Sequence, residues 1–507
     1  MKTKSRIALG CAVILTVGAV AGCSDSGGKP TVDEKATPAA NSPFEITLAS
    51  YQGAETPVKG NEIEKAIEAY TNTKLSIQWI PLAAFDEKIN VMIASNELPK
   101  LLRVRNDPSI RDSIKSGLFW EIGPYLKEYK NLSAQQPVNY ELSTFDGKRY
   151  GIPLFRNVGR SSVIYRKDWL DALGMKLPTT VDEWYNVLKA MTLNDPDKNG
   201  KNDTYGMLLY KNYNDGLSSM MVRLAVSLGA PTKWGQENGK FTPDFMTKEY
   251  QDVLRLFKRL YDEKLINQDF AVFDEQDSRK LFQSGRAGII VNVSDNAKKF
   301  NDPLLKVEPN AILDVEPTSG PKGIRVGGFP DGTSGFYLVP KSSVKTEAEL
   351  KQVLSFMDKL MDPEISTLLL RGIEGKHYVK TADNKTEYKD FTLWAKDVRT
   401  YADNLPVLEG YNVAPLKDIP LGEKATKIEM EGHKYAVPNP ALSLVSAMYT
   451  ERGKELDNMI QDAQTKFIMG KIDEAGWQSE IERWRKAGGD KVIKDYEEAF
   501  AKLNNKK

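Results

Sequence analysis

Thiols and imidazoles are almost missing from this chain. Its 507 residues hold two cysteines, Cys11 and Cys23, and two histidines, His377 and His433. Both cysteines lie within the first 23 residues, so the body can carry no disulfide framework, thiolate metal site or cysteine nucleophile. The two histidines stand in different contexts, which excludes an H-E-x-x-H zinc site and leaves a histidine-centred triad without support. Excess charge of either sign is absent as well. Lys plus Arg is 70 against 69 Asp plus Glu, without the basic footprint that nucleic-acid binding leaves. No short internal repeat is visible. What remains is ordinary for a globular protein, 41% apolar and 27% charged, with length for two or more lobes.

The N-terminus reads as an address. Lys2, Lys4 and Arg6 precede an apolar run from Ile7 to Ala21 that is too short for a comfortable membrane span. "VAGC" at residues 20–23 sets small residues before a cysteine and resembles the lipobox of bacterial lipoproteins. The resemblance implies a signal peptide over residues 1–22 and lipidation of Cys23 as the new N-terminus. The alternative is an ordinary secretory signal with an incidental cysteine, but a lone thiol has no other evident use there. Residues 23–43 are rich in Ser, Gly, Pro and Ala and read as a flexible tether. An acylated cysteine with two or more chains suffices for stable anchoring, so the expected place is the extracytoplasmic face of the cell membrane.

The body alternates strand and helix patterns. "FEITLASYQ" (44–52) and "KLSIQWI" bracket an amphipathic helix carrying Ile63, Ala66, Ile67 and Tyr70, which predicts a parallel β-α-β unit. "YGIPL" and "SSVIYR" are strand candidates, and "PTTVDEWYNVLKAM" is a helix capped by Thr180 with Glu183 three residues on. "GRAGIIVNV" and "SGFYLVP" read as further strands. From about Pro440 the chain predicts three or four helices. Such alternation means α/β architecture.

"LNDPDKNGKNDTYG" (193–206) carries oxygen ligands at calcium-loop spacing: Asp195, Asp197, Asn199 and Asp203, with Lys201 offering its carbonyl and Gly200 at the turn. The twelfth loop position is Gly206, so the bidentate Glu of an EF-hand is missing. Two readings stand: a structural calcium site, and a polar turn that needs no ion.

The ordered series "YGIPL", "IYRKDWLDALGMKLPTTVDEWYNVLKAM", "DPDKNGKNDTYG", "FQSGRAGI", "GFYLVP", "MDPEISTLLLRGIEGKHY" and "FIMGKIDEAGWQSEIERWRKAGGDKVIKDYEEAF" resembles the family 1 extracellular solute-binding lipoproteins of bacterial ABC carbohydrate importers. Within them it is similar to the branch of LplA/LipO-type lipoproteins and alginate-oligosaccharide binders. The resemblance implies an α/β, two-lobed, periplasmic-binding-protein-like fold with an interlobe ligand cleft and a helical C-terminus. It places the first lobe at 44–155 plus 336–400 and the second at 156–335 plus 401–507. It also implies a carbohydrate ligand, ABC permease subunits as partners, a monomer, and hinge closure on the ligand. In the alginate-binding branch a similar loop holds a structural calcium with an acid after the last Asp; here that position is Thr204.

Sugars present apolar ring faces and hydroxyl rims, which aromatic rings, carboxylates, amides and Arg recognise. Residues of these types in loops or near the expected crossings are Trp120, Tyr150, Arg156, Asn157, Trp234, Asp295, Phe329, Arg371, Glu374 and Trp394. Trp234 and Trp394 are the expected platforms. Trp169, Trp184, Trp477 and Trp484 sit on helical faces and are expected in cores, and His377 is read as ordering a loop. The expected activity is capture without catalysis. A lipid-anchored glycoside hydrolase or lyase, and a sugar co-receptor for a membrane sensor, remain the alternatives.

Overall fold

The computed structural model describes residues 42–52, 55–105, 107–327 and 335–504. The lipobox, Cys23 and the tether up to residue 41, together with Phe329, lie outside the described residues. Among the described residues no helix is long and apolar enough to cross a membrane.

Two sheets organise the body. The first has five strands in the order Thr73–Pro81, Phe44–Gln52, Leu101–Val104, Phe336–Leu338, Gly151–Pro153. Its first three strands run parallel, as the β-α-β pattern predicted, and Phe336–Leu338 joins antiparallel to both of its neighbours. The second sheet has the order Leu313–Pro317, Ser161–Arg166, Ala287–Val293, Tyr205–Met207. There Ser161–Arg166 is antiparallel to both neighbours, while Ala287–Val293 and Tyr205–Met207 are parallel.

Local sequence accounts for most elements. The helix Val181–Leu193 starts on a capping box in which Thr180 and Glu183 satisfy each other's backbone N–H groups. Ser161–Arg166 is buried at every position, as expected of a central strand covered on both faces. Trp169, Trp184 and Trp477 are each 1% exposed, and Trp484 is 4% exposed, inside the second-lobe core. The C-terminus forms three helices, Ala447–Ile468, Glu474–Trp484 and Asp490–Asn504, packed on that core.

The chain crosses between the two cores in three places. The first crossing is the stretch 154–160, between Gly151–Pro153 and Ser161–Arg166. The second leads from Leu313–Pro317 to Phe336–Leu338. The third falls later than the expected residue 400. Tyr401, Leu405 and Val407 still pack in the first core, and the helix Pro420–Glu431 places Ala425 in the second. No break is legible at that point because the loop before Pro420 has no apolar period of its own. Gly159 explains how the first crossing closes: at φ +78°, an added Cβ would stand 2.4 Å from the Gly432 carbonyl oxygen, so the crossing lies directly against the end of that helix.

Candidate functional site

In an open α/β sheet, connections diverge where strands end, and a crevice opens beyond those ends. Here Ala287–Val293 ends at such a crevice, and the loop 210–219 after Tyr205–Met207 forms its wall. The cavity has a volume of about 340 Å³. Arg160 reaches it from the first crossing, Arg223 from the helix Met220–Leu228 and Arg279 from the helix Glu275–Gln283. Asn292 and Asn296 stand at the strand end, and Asp215 and Glu275 are the acids on the wall.

These charges are unequally committed. Arg223 donates from Nε to the Ser218 carbonyl at 2.7 Å and from a terminal nitrogen to Ser161 Oγ at 2.8 Å. Arg279 holds Glu275 at 2.6 Å, one turn away on the same helix. Asp215 accepts from Gln461 Nε2 at 3.1 Å. Arg160 faces Asp295 and Glu429 at 3.8 Å each, too far for a hydrogen bond. Its Nε, the Ser294 Oγ and the Asp295 Oδ1 are buried without a hydrogen-bond partner. Ser294 and Asp295 follow the strand end directly, and the Ser294 N–H donates to the Arg160 carbonyl at 3.0 Å. Three buried polar atoms without a hydrogen-bond partner at one strand end are exceptions to the rule that buried polar groups find partners, and they leave hydrogen-bonding capacity there.

The crossing also gathers acids. Burial pushes the Glu429 carboxyl up to about 7; Asp295 and Glu409 add to the rise, while Arg160 and Arg156 pull against it. The site therefore holds a carboxyl that titrates near neutrality beside a guanidinium.

Of the sequence candidates, Arg156, Asn157, Asp295 and Arg371 converge around the first crossing, Asn157 and Arg371 through Glu409. Arg156 is exposed there, and Asn157 Nδ2 donates to the Glu409 carbonyl at 3.3 Å. Arg371 is 1% exposed and grips Glu409 through two bonds of 2.6 and 2.8 Å, with Thr386 and the Ala414 carbonyl taking further N–H groups. It braces the loop behind the crossing and is not a free sugar contact.

Others stand elsewhere. Trp120 packs on the first core and donates from Nε1 to the Val344 carbonyl at 2.7 Å. Tyr150 leans on Phe145 at 6.4 Å. Glu374 is exposed and pairs with Lys380 at 2.8 Å. Trp394 lies on the helix Phe391–Asp397, stacked on Phe391 at 5.3 Å and against the first core. It was expected at the return to the second lobe, but that return lies beyond it. Trp234 opens a hairpin strand and meets Tyr496 edge-on at 5.0 Å, beside a separate aromatic cavity. His377 is fully buried, accepts the Ile373 N–H on Nδ1 at 2.9 Å and faces Asp397, which orders its loop.

Sequence reasoning missed Arg160, Arg223, Arg279 and the loop 210–219. The signal was there in "YKNYNDGLSS", a run of Asn, Asp, Gly, Ser and Tyr between a strand and a helix start.

The acidic loop is folded on its own N–H groups. Asp195 accepts from the Asn199 and Gly200 N–H groups at 3.0 Å, and the Asn199 side-chain amide donates to Asp197 at 2.8 Å and Asp203 at 3.1 Å. Burial and the neighbouring Asp195 hold the Asp197 carboxyl above its ordinary range. Lys201 donates its N–H to Asn199 Oδ1 at 2.8 Å. Among the described residues no three acidic, His or Cys side chains are already drawn together as a metal cluster. The donor set is nevertheless all hard oxygen, which suits calcium if Asn199 turns its amide oxygen inward. Thr204 does not join it: its hydroxyl is buried and donates to the Met191 carbonyl at 2.8 Å, capping the preceding helix instead.

Comparison with known proteins shows the family. The bacterial extracellular solute-binding protein family matches residues 53–365. Lipoprotein LipO of Bacillus subtilis (strain 168) is 39% identical over 497 residues, covering 95% of this chain and 96% of that one. The polygalacturonan/rhamnogalacturonan-binding protein YtcQ of the same strain is 37% identical over 514 residues, covering 99% of each. An HMO-binding, ABC-transporter-associated solute-binding protein from Bifidobacterium longum infantis shares the fold, with a TM-score of 0.70 at 18% identity over 91% of this chain and 99% of that one. On the family match over residues 53–365 and the two relatives similar over nearly the whole chain, the chain belongs to the bacterial extracellular solute-binding protein family.

Proposed function

We propose that this protein captures an acidic oligosaccharide between its lobes and hands it to the permease of an ABC importer. The observation that carries the reading is a cavity walled by the guanidiniums of Arg160, Arg223 and Arg279, with two buried donors at its side, Arg160 Nε and Ser294 Oγ, that have no hydrogen-bond partner. Guanidinium forks match carboxylate geometry, and orphaned buried donors reward a ligand that satisfies them. A relative named as a binder of polygalacturonan, similar over the whole chain, supports a uronate-bearing ligand. The family and the relatives are binding proteins, which supports capture over turnover.

Two further parts belong to the same reading. Cys23 anchors the mature chain through acyl groups, in keeping with the lipoprotein named among the relatives. Asp195, Asp197, Asn199, the Lys201 carbonyl and Asp203 would hold a structural calcium, which would neutralise the crowded carboxylates of that loop. Calorimetry with galacturonate oligomers and with neutral oligosaccharides of equal length tests the whole. Saturable binding of the acidic series is expected; binding confined to the neutral series, or release of reducing ends from a bound oligomer, overturns it.

A further inference from the structure

We propose that Glu429 is a positioning residue for the anion site: it acts on an acidic ligand through Arg160, weakens capture while it is ionised, and ties capture to the uptake of a proton. This rests on the reading of the crevice as an acidic-oligosaccharide site. Glu429 does not line the cavity, whereas Arg160 does.

Backbone contacts hold the two residues together. A Cβ on Gly432 would stand 2.0 Å from the Gly159 carbonyl oxygen, and one on Gly159 would stand 2.4 Å from the Gly432 carbonyl oxygen. The two segments therefore touch with no side chain between them. Arg160 follows the first glycine, and Glu429 lies on the turn before the second, near the end of the helix Pro420–Glu431. Val326–Gly327 pairs with Ala436–Val437 just beyond, and Val326 also abuts Gly159. On the other side, the Ser294 N–H donates to the Arg160 carbonyl, which keeps Asp295 beside the guanidinium. Neither carboxylate can draw away from Arg160 without parting these contacts.

The acids around Glu429 have cations of their own. Lys299 holds Asp295 at 3.1 Å, and Arg371 holds Glu409 at 2.6 and 2.8 Å. Lys298 is taken up by Asp418 at 2.6 Å, and Lys424 by Asp314 at 2.7 Å and Glu316 at 2.6 Å. At the helix end Lys434 pairs with Glu431 at 3.4 Å, and exposed His433 turns Nδ1 to the Met430 carbonyl. Among the described residues the one ion pair of Glu429 is with Arg160, at 3.8 Å, with Arg156 adding attraction. Burial already pushes its carboxyl up to about 7. An acidic sugar that engages Arg160 brings a second carboxylate to this one cation. The Glu429 anion then keeps the cost of burial and loses what offset it, so it takes a proton from solvent. The linkage runs both ways: binding raises the carboxyl, and the ionised carboxyl weakens binding. An uncharged sugar leaves Arg160 to Glu429 and carries no such link.

Calorimetry on the full chain with trigalacturonate, at pH 7 in two buffers of different ionisation enthalpy, counts the protons. A further rise of about one unit in the carboxyl corresponds to uptake of roughly 0.4 proton at pH 7 and to a Kd roughly fivefold weaker at pH 8 than at pH 6. Glu429→Gln keeps the shape and removes the charge. It should show no uptake, match wild type at pH 6 and bind the trimer roughly fivefold tighter at pH 8. Two controls should keep the uptake: His433→Gln, and Glu141→Gln at a carboxyl pushed up to about 7 by burial alone. A merely structural Glu429 would move the melting midpoint and leave the proton count as it was. If the trimer binds without proton uptake, or the uptake survives Glu429→Gln, the positioning role is refuted and the crevice reading stands. If no galacturonate oligomer binds, both fall.

Discussion

Arg160→Met separates a ligand-binding guanidinium from a structural one. Arg160 is not locked in a tight ion pair: its nearest carboxylate oxygens, on Asp295 and Glu429, stand at 3.8 Å, and its Nε has no partner. Methionine keeps much of the unbranched stem, so packing changes little. Losing the cation leaves Glu429 beside Asp295 and Glu409 without its strongest counter-charge. Glu429 already titrates at about 7, so at pH 6 it answers by staying protonated at small cost. At pH 8 the cost should be on the order of 1 kcal/mol for each unit the carboxyl is pushed further up. Binding should suffer more. A charge-assisted hydrogen bond to a uronate is worth roughly 1.5–3 kcal/mol, which is about 10- to 150-fold in Kd. A neutral oligosaccharide of equal length should lose less than about threefold, and Arg160→Lys should restore part of the uronate affinity because it keeps the charge without the fork. Calorimetry at pH 7, repeated at higher salt, reads all of this. A folded Arg160→Met protein that binds galacturonate oligomers within twofold of wild type, by the same affinity arithmetic, would refute the placement of the anion site.

Glu429→Gln should change the pH dependence of stability. The raised carboxyl holds a proton in the folded state that the unfolded chain has already released between its ordinary value of 4.5 and about 7. Wild-type stability should therefore fall as pH rises through that window, and the variant should be more stable above pH 7 by on the order of 3 kcal/mol in urea titrations. Calcium at one hundred times its Kd should stabilise the second lobe by about 2.7 kcal/mol through mass action, so EDTA should lower the melting midpoint and Asp197→Ala should remove that sensitivity. Midpoints indifferent to EDTA, with no metal in elemental analysis, leave the loop as a plain turn. Trp394→Ala should cost about 2–4 kcal/mol of stability through lost packing on Phe391 and the first core, with galacturonate affinity unchanged; the opposite pattern would return Trp394 to the site. Cys23→Ala should abolish acylation, which mass spectrometry of the membrane fraction would show.

The sequence by itself determined the elements and the class. Apolar periods of two and 3.6 residues and the Thr180–Glu183 cap depend on neighbours a few residues away, so they could be read directly. Phe44–Gln52 runs over the residues its alternation indicated, and the helix-face tryptophans are where their spacing put them. Only the tertiary structure decided the site. Arg160, Arg223, Arg279 and Asn292 come from four segments that meet because one strand lies between two others, and nothing local marks an arginine as facing a crevice. The same reason explains Trp394: a tryptophan outside the long helical stripes can still pack, as Trp394 does on Phe391 from a short helix. Local chemistry fixes which backbone forms, whereas a binding surface is made by contacts between residues far apart in the chain, and their free energy exists only once the chain has closed.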